Sequence, residues 1–269
     1  SAPRFHLGLA TLSNGAALAA GGLAVDNGVS LPSAELFQPT TGRWQPVANM
    51  TVGRWGCSLA ALPGGSALAV GGVFDAGDHN QTLLGSAEVW NPGTMLWKLV
   101  RPPRTPRYFA QAASLQQGRV LLVGGLTDLN APGMITATAE LYSPGAGRWT
   151  AAATMTIPRH SFGLATLSDG RILAAGGVTQ SGNQQPPTNT AELYDPIADT
   201  WTAFPSMPDA RYAFALAPLL GGGALAVGGS GWNFTPFLAS SARYLSGGEH
   251  TKDKYSCRRG QCARVPPGS

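Results

Sequence analysis

The stretch "LYDPIADTWTAFPSMPDARYAFAL", residues 193–216, decides the fold, because the chain writes it more than once. Residues 141–164 read "LYSPGAGRWTAAATMTIPRHSFGL", and residues 36–59 read "LFQPTTGRWQPVANMTVGRWGCSL". An aromatic followed by a proline, then a tryptophan and an arginine, return in the same order. The chain is therefore copies of one unit.

Gly-Gly doublets close a short apolar run at Gly21-Gly22, Gly71-Gly72, Gly124-Gly125, Gly176-Gly177 and Gly228-Gly229, spaced by 50, 53, 52 and 52 residues. After each doublet comes an alanine, a glutamate and an aromatic two positions on: Ala34-Glu35-Leu36-Phe37, Ala87-Glu88-Val89-Trp90, Ala139-Glu140-Leu141-Tyr142 and Ala191-Glu192-Leu193-Tyr194. Tryptophan follows the aromatic at Trp44, Trp97, Trp149 and Trp201. The fifth copy reads Ala242-Arg243-Tyr244 and has no such tryptophan.

Within a unit, apolar periodicity predicts four short strands, with turn residues such as Ser13-Asn14-Gly15, Pro63-Gly64-Gly65 and Ser168-Asp169-Gly170 joining the first two. The second strand ("ALAAGG", "ALAVGG", "VLLVGG", "ILAAGG", "ALAVGG") is apolar on both faces and is expected to be central and buried. A four-stranded antiparallel sheet cannot cover both of its own faces, so neighbours must stack radially. Composition agrees with an all-β chain: of 269 residues 36 are glycine, and charged residues make up 12%, too few for helical surfaces.

The doublet, the aromatic-x-proline (Tyr142-Ser143-Pro144, Tyr194-Asp195-Pro196) and the spaced tryptophan together resemble the Kelch-repeat family, with the blade type of galactose-oxidase-like proteins. The resemblance implies a five-bladed β-propeller of four-stranded antiparallel blades over residues 1–247, with repeats at about 4–53, 54–106, 107–158, 159–210 and 211–247. It also implies that each doublet lets backbone pass close under a tryptophan ring. The last blade is expected to be incomplete, since neither chain end brings a tryptophan strand. Three outcomes are open: the tail around Lys254-Tyr255-Ser256 fills the slot, the blade stays three-stranded, or a strand of another chain completes it and builds a homo-oligomer or filament.

Residues 248–269 are expected to stand apart as a basic tail, the start of a truncated cysteine-rich module, with a disulfide between Cys257 and Cys262. Cys57 reads as a buried thiol. Sequons at Asn49, Asn80 and Asn233, with the cysteine pair, point to an extracellular or cell-surface glycoprotein. The start at Ser1 reads as a processed end. The formal charge of +4 owes much to Lys252, Lys254, Arg258, Arg259 and Arg264 in the tail, so no nucleic-acid partner is indicated, and no membrane span is expected.

Each unit opens with an arginine and then an aromatic or histidine: Arg4-Phe5, Arg54-Trp55, Arg107-Tyr108, Arg159-His160 and Arg211-Tyr212. Two readings stand. The arginines could form a ligand-facing ring that holds carboxylate or sulfate groups of a protein or an acidic glycan, with Tyr108, His160, Tyr212 and Trp232 beside them. Alternatively each pairs inside the fold with the repeated glutamate (Glu35, Glu88, Glu140, Glu192). The loops between second and third strands are expected on this same face and differ from one another, which makes Asp75, Asp78, His79, Trp232 and Phe234 candidates for contact. Small residues at Gly8, Ser58, Gly163 and Ala215 read as packing positions, with Gln111 the exception.

Scattered histidines (His6, His79, His160, His250), three cysteines and five units depart from the copper-enzyme pattern, and no hydrolase or zinc-protease motif occurs. The expectation is a secreted, non-enzymatic interaction or assembly module without a cofactor. The alternative is a galactose-oxidase-like or other metal-dependent enzyme using His6 and His160.

Overall fold

The computed structural model describes residues 3–78, 80–130, 134–179, 186–220, 222–231, 240–244, 250–258 and 261–265, with backbone only for 240 and from 250 onward. It divides into two compact units, residues 1–152 and 153–269.

The first unit holds three four-stranded antiparallel sheets, or blades. Blade 1 runs Gly8–Thr11, Ala17–Ala20, Ala34–Gln38 and Arg43–Val47; blade 2 runs Ser58–Ala61, Ala67–Val70, Ala87–Asn91 and Leu96–Val100. Blade 3 runs Gln111–Ser114, Val120–Val123, Ala139–Ser143 and Arg148–Ala152. In each, the strands pair in chain order, so the turn chemistry between consecutive strands sets the topology. The second strands of blades 2 and 3 are buried at every position, as their two-sided apolar pattern demands. Burying each of those Leu or Val side chains contributes about 1.5–3 kcal/mol.

The second unit holds blade 4 (Gly163–Thr166, Ile172–Ala175, Ala191–Asp195, Thr200–Phe204) and a final sheet that begins Ala215–Pro218, Ala224–Val227 and Ser240–Tyr244. This last sheet continues beyond residue 247. His250–Arg258 pairs antiparallel with Ser240–Tyr244, setting Lys254 opposite Ser240, and Gln261–Val265 adds a fifth strand. Of the three outcomes, the tail fills the slot, because the open edge of the third strand needs hydrogen-bond partners and the chain supplies them locally. His250–Arg258 and Gln261–Val265 are thus strands of this sheet. The register places Cys257 opposite Cys262; their side chains lie outside the described residues.

Neighbouring blades hold one another by a repeated device that differs from the expected one. The nearest neighbours of Gly21, Gly71 and Gly176 are not indoles. A Cβ on Gly21 would collide with the carbonyl oxygen of Arg54, one on Gly71 with that of Arg107, and one on Gly176 with that of Arg211. The second glycine donates its N–H to the same carbonyl: Gly22 to Arg54 (2.8 Å), Gly72 to Arg107 (2.9 Å) and Gly177 to Arg211 (2.8 Å). Both glycines of a doublet have positive φ, as at Gly71 (65°) and Gly72 (93°), so absence of a Cβ serves the turn and the close approach together.

The tryptophans bind elsewhere. Each faces its own blade's aromatic across the strand pair, with ring centroids 5.4 Å apart for Phe37–Trp44 and 5.0 Å for Tyr142–Trp149 and Tyr194–Trp201. Their indole N–H groups reach back to the segment ahead: Trp97 donates to the Ala48 carbonyl (3.0 Å), Trp149 to Arg101 (2.8 Å) and Trp201 to Ala153 (2.9 Å). Trp44 is 46% exposed.

Candidate functional site

The five arginines occupy one recurring clamp. Arg54 Nη1 donates to the carbonyls of Gly71 (2.9 Å) and Ser86 (3.2 Å), while Nη2 donates to Ser86 Oγ (3.2 Å) and Glu88 Oε1 (2.6 Å). Arg107 repeats this with Gly124, Thr138 and Glu140, Arg159 with Gly176, Thr190 and Glu192, and Arg4 with Gly21, Ser33 and Glu35. Arg211 holds the Gly228 carbonyl (2.9 Å) and lies 3.6 Å from Asp209, in the repeat whose glutamate is replaced by Arg243. The far oxygens of Glu88, Glu140 and Glu192 are taken as well: Glu140 Oε2 accepts from Arg104 N–H (2.7 Å), while Thr105 N–H (3.2 Å) shares Oε1 with Arg107.

Arg54, Arg107, Arg159 and Arg211 are at most 1% exposed. Burial draws the guanidinium pKa values of Arg107, Arg159 and Arg211 down, against the pull of Glu140, Glu192 and Asp209 respectively. Arg4, Arg54, Arg107 and Arg159 thus make the internal pairs with glutamate that the second reading expects. Such a guanidinium spends its four Nη hydrogens on two carbonyls, a hydroxyl and a carboxylate, and it crosslinks the doublet, the loop end and the third strand.

The residue after each arginine is fastened by backbone pairing to the start of the loop behind the doublet: Trp55 to Val73, Tyr108 to Leu126, His160 to Val178 and Tyr212 to Ser230. Arginine turns and variable loops therefore share a face, as expected. The next residue is left-handed in every repeat: His6, Gly56, Phe109, Ser161 and Ala213 have φ between 51° and 61°. In the first unit this kink turns side chains of different repeats towards one another. His6 stands 5.0 Å from the Phe5 ring, 6.0 Å from Trp55 and 5.0 Å from Phe109; Trp55 stands 5.9 Å from Tyr108 and 5.6 Å from Phe109. Most contacts are edge-to-face, the arrangement that ring quadrupoles favour.

This aromatic cluster is open to solvent on one side. His6 and Phe5 are exposed, Trp55 and Phe109 half-buried, and Tyr108 is buried against Val73 and Leu126. Partial burial lowers the His6 pKa from its ordinary value, and burial raises that of Tyr108. Both shifts favour the neutral ring, so the cluster offers apolar edges and faces with few charges. Of the residues singled out from the sequence, Tyr108 belongs to it. His160 is buried beside Ser161, and Tyr212 is half-buried in the other unit. Trp232, Phe234, Asn233 and His79 lie outside the described residues.

Asp75, expected at a contact surface, is 3% exposed and organises its loop: its carboxylate accepts from Gly77 N (2.8 Å) and Gln81 Nε2 (3.1 Å), and its own N–H donates to Ser30 Oγ (2.7 Å). Asp78 is exposed and accepts from Asn80 N. Cys57 is a buried free thiol, its pKa pushed up by desolvation. Among the described residues no group of three or more His, Cys, Asp or Glu has metal-ligand geometry, and no helix is long and apolar enough to cross a membrane.

Comparison with known proteins completes the picture. The Kelch motif model matches residues 158–208, covering the fourth repeat. Human Kelch-like protein 34 is 26% identical over 184 residues, 68% of this chain and 27% of that protein; mouse Kelch-like protein 40 is 37% identical over 81 residues, 30% of this chain and 12% of that one. The chain thus carries a Kelch motif in its fourth repeat and resembles Kelch-like proteins along about two thirds of its length. The solved structure of YjhT resembles it in fold, with TM-score 0.73 at 16% identity over 93% of this chain and 84% of that one. That likeness assigns the five sheets to the β-propeller class. The arginine clamp and the indole ties recur from repeat to repeat as scaffolding, whereas the aromatic cluster joins side chains of different repeats.

Proposed function

We propose that this protein is a non-enzymatic interaction module, working outside the cell, that receives a partner protein on the arginine-turn face of residues 1–152. The aromatic cluster of His6, Trp55, Tyr108 and Phe109 carries the reading. Rings that are rigid, half-exposed and ordered by edge-to-face contacts give large contact area at small entropic cost, which is how interface anchors work. The two sequon asparagines within the described residues, Asn49 and Asn80, are both exposed, and that supports the extracellular setting. Assembly by strand addition to the fifth blade is left out, since His250–Arg258 holds the fourth place.

Panning a displayed peptide library against the wild-type chain tests the proposal. Selected peptides are expected to lose at least tenfold in affinity on Trp55→Ala while the far-ultraviolet spectrum stays unchanged. Peptides that bind the variant equally well would refute the site, and binding confined to a glycan array would replace the protein partner with a sugar. Stoichiometric copper or iron in native protein would favour the metal-dependent enzyme.

A further inference from the structure

A second surface, on blade 3, is charged in a way the fold does not require. A groove of about 460 Å³ is lined by Arg101, Pro102, Arg104, Glu140, Arg148 and Trp149, among others. All three arginines are exposed, and no described residue forms an ion pair with any of them. Glu140 does not neutralise them, because its oxygens already accept from Arg107 and from two backbone N–H groups.

The other repeats act as internal controls. The carbonyl that receives the indole N–H belongs to Arg101 here but to Ala48 and Ala153 in the equivalent ties. The N–H that reaches the clamp glutamate belongs to Arg104 here but to Thr51 and Thr156 elsewhere. Before the tryptophan stand Arg148 here, Leu96 and Thr200 in repeats 2 and 4, and Arg43 in repeat 1. At these places the backbone does the structural work, and the side chain is free to vary. Arg101, Arg104 and Arg148 thus bring three like charges round one groove without serving the scaffold, which raises the energy of the empty site and favours an occupant of opposite charge.

We propose that this groove binds an acidic segment of a partner polypeptide. Guanidinium forks grip carboxylates with two parallel hydrogen bonds, and the half-buried Trp149 ring with Pro102 offers an apolar wall for a side chain between the acids. An open groove with an apolar wall suits an extended chain better than a compact free anion.

The test uses a fluorescent ten-residue peptide of alternating glutamate and leucine, read by anisotropy at low salt. Wild type is expected to bind it, with affinity falling as salt rises. A variant carrying the residues of repeat 4, Arg101→Ala, Arg104→Thr and Arg148→Thr, should bind at least tenfold more weakly while unfolding in urea at the wild-type midpoint. Arg43→Ala should bind as wild type does, and so should Trp55→Ala, which separates this site from the aromatic face. Equal binding by wild type and the triple variant, absence of binding, or displacement by millimolar inorganic phosphate would each overturn the proposal. The last outcome would mark a plain anion site.

Discussion

At the scale of single residues, the arginine clamp shows what repetition can and cannot reveal. Arginine and glutamate recur together, so an internal pair was one legible reading. Nothing in a linear pattern tells which way a guanidinium turns, nor that the carbonyls of the doublet and the loop end supply its other acceptors. Glu88 is fully buried against Arg54 at 2.6 Å. Glu88→Gln should destabilise the chain by about 3–5 kcal/mol, because the guanidinium stays buried and loses its counter-charge. Urea unfolding followed by circular dichroism measures this, and a loss under 1 kcal/mol would contradict the clamp. The glycine doublets were also misjudged from sequence: their need for closeness was clear, but the neighbour proved to be an arginine carbonyl, which belongs to the next repeat and leaves no local signature.

At the scale of strands and sheets, most of the order was readable, since a two-residue alternation bounded by turn residues fixes a strand whichever blade it enters. Burial by neighbours was less so. Leu59 in the first strand of blade 2 is 6% exposed, with its Cβ against Gly8 of blade 1, whereas Leu9 at the same place in blade 1 is 59% exposed. Leu59→Ala should therefore cost about 2–5 kcal/mol and Leu9→Ala under about 0.5 kcal/mol, although the two strands read alike. Thermal unfolding of the pair decides it, and equal losses would mean that blade 1 is covered. The binding surfaces hid for opposite reasons. His6 and Phe109 join Trp55 only through left-handed kinks in separate repeats, while Arg101, Arg104 and Arg148 come together in one repeat alone, and a reading tuned to what recurs passes over what does not.

At the scale of the whole molecule, two of the repeated ties between blades share one sense. Within residues 1–152, blades 2 and 3 send an arginine carbonyl and an indole N–H back to the blade before; within 153–269, the last sheet sends the Arg211 carbonyl back to Gly176 and Gly177 but has no tryptophan to add. The first strand of that sheet, Ala215–Pro218, is largely exposed where Gly163–Thr166 is largely buried. Hydrogen exchange should accordingly run faster at Leu216 and Ala217 than at Leu164 and Ala165, since local opening starts where neighbours are fewest. Slower exchange at the later pair would reverse the polarity inferred from the ties.

That polarity bears on how the chain is made. Gly21 precedes Arg54 by 33 residues, Gly71 precedes Arg107 by 36, and Gly176 precedes Arg211 by 35. A blade leaving the ribosome thus has its sheet complete before its latch has been translated, and each newborn sheet waits for its successor to fasten it.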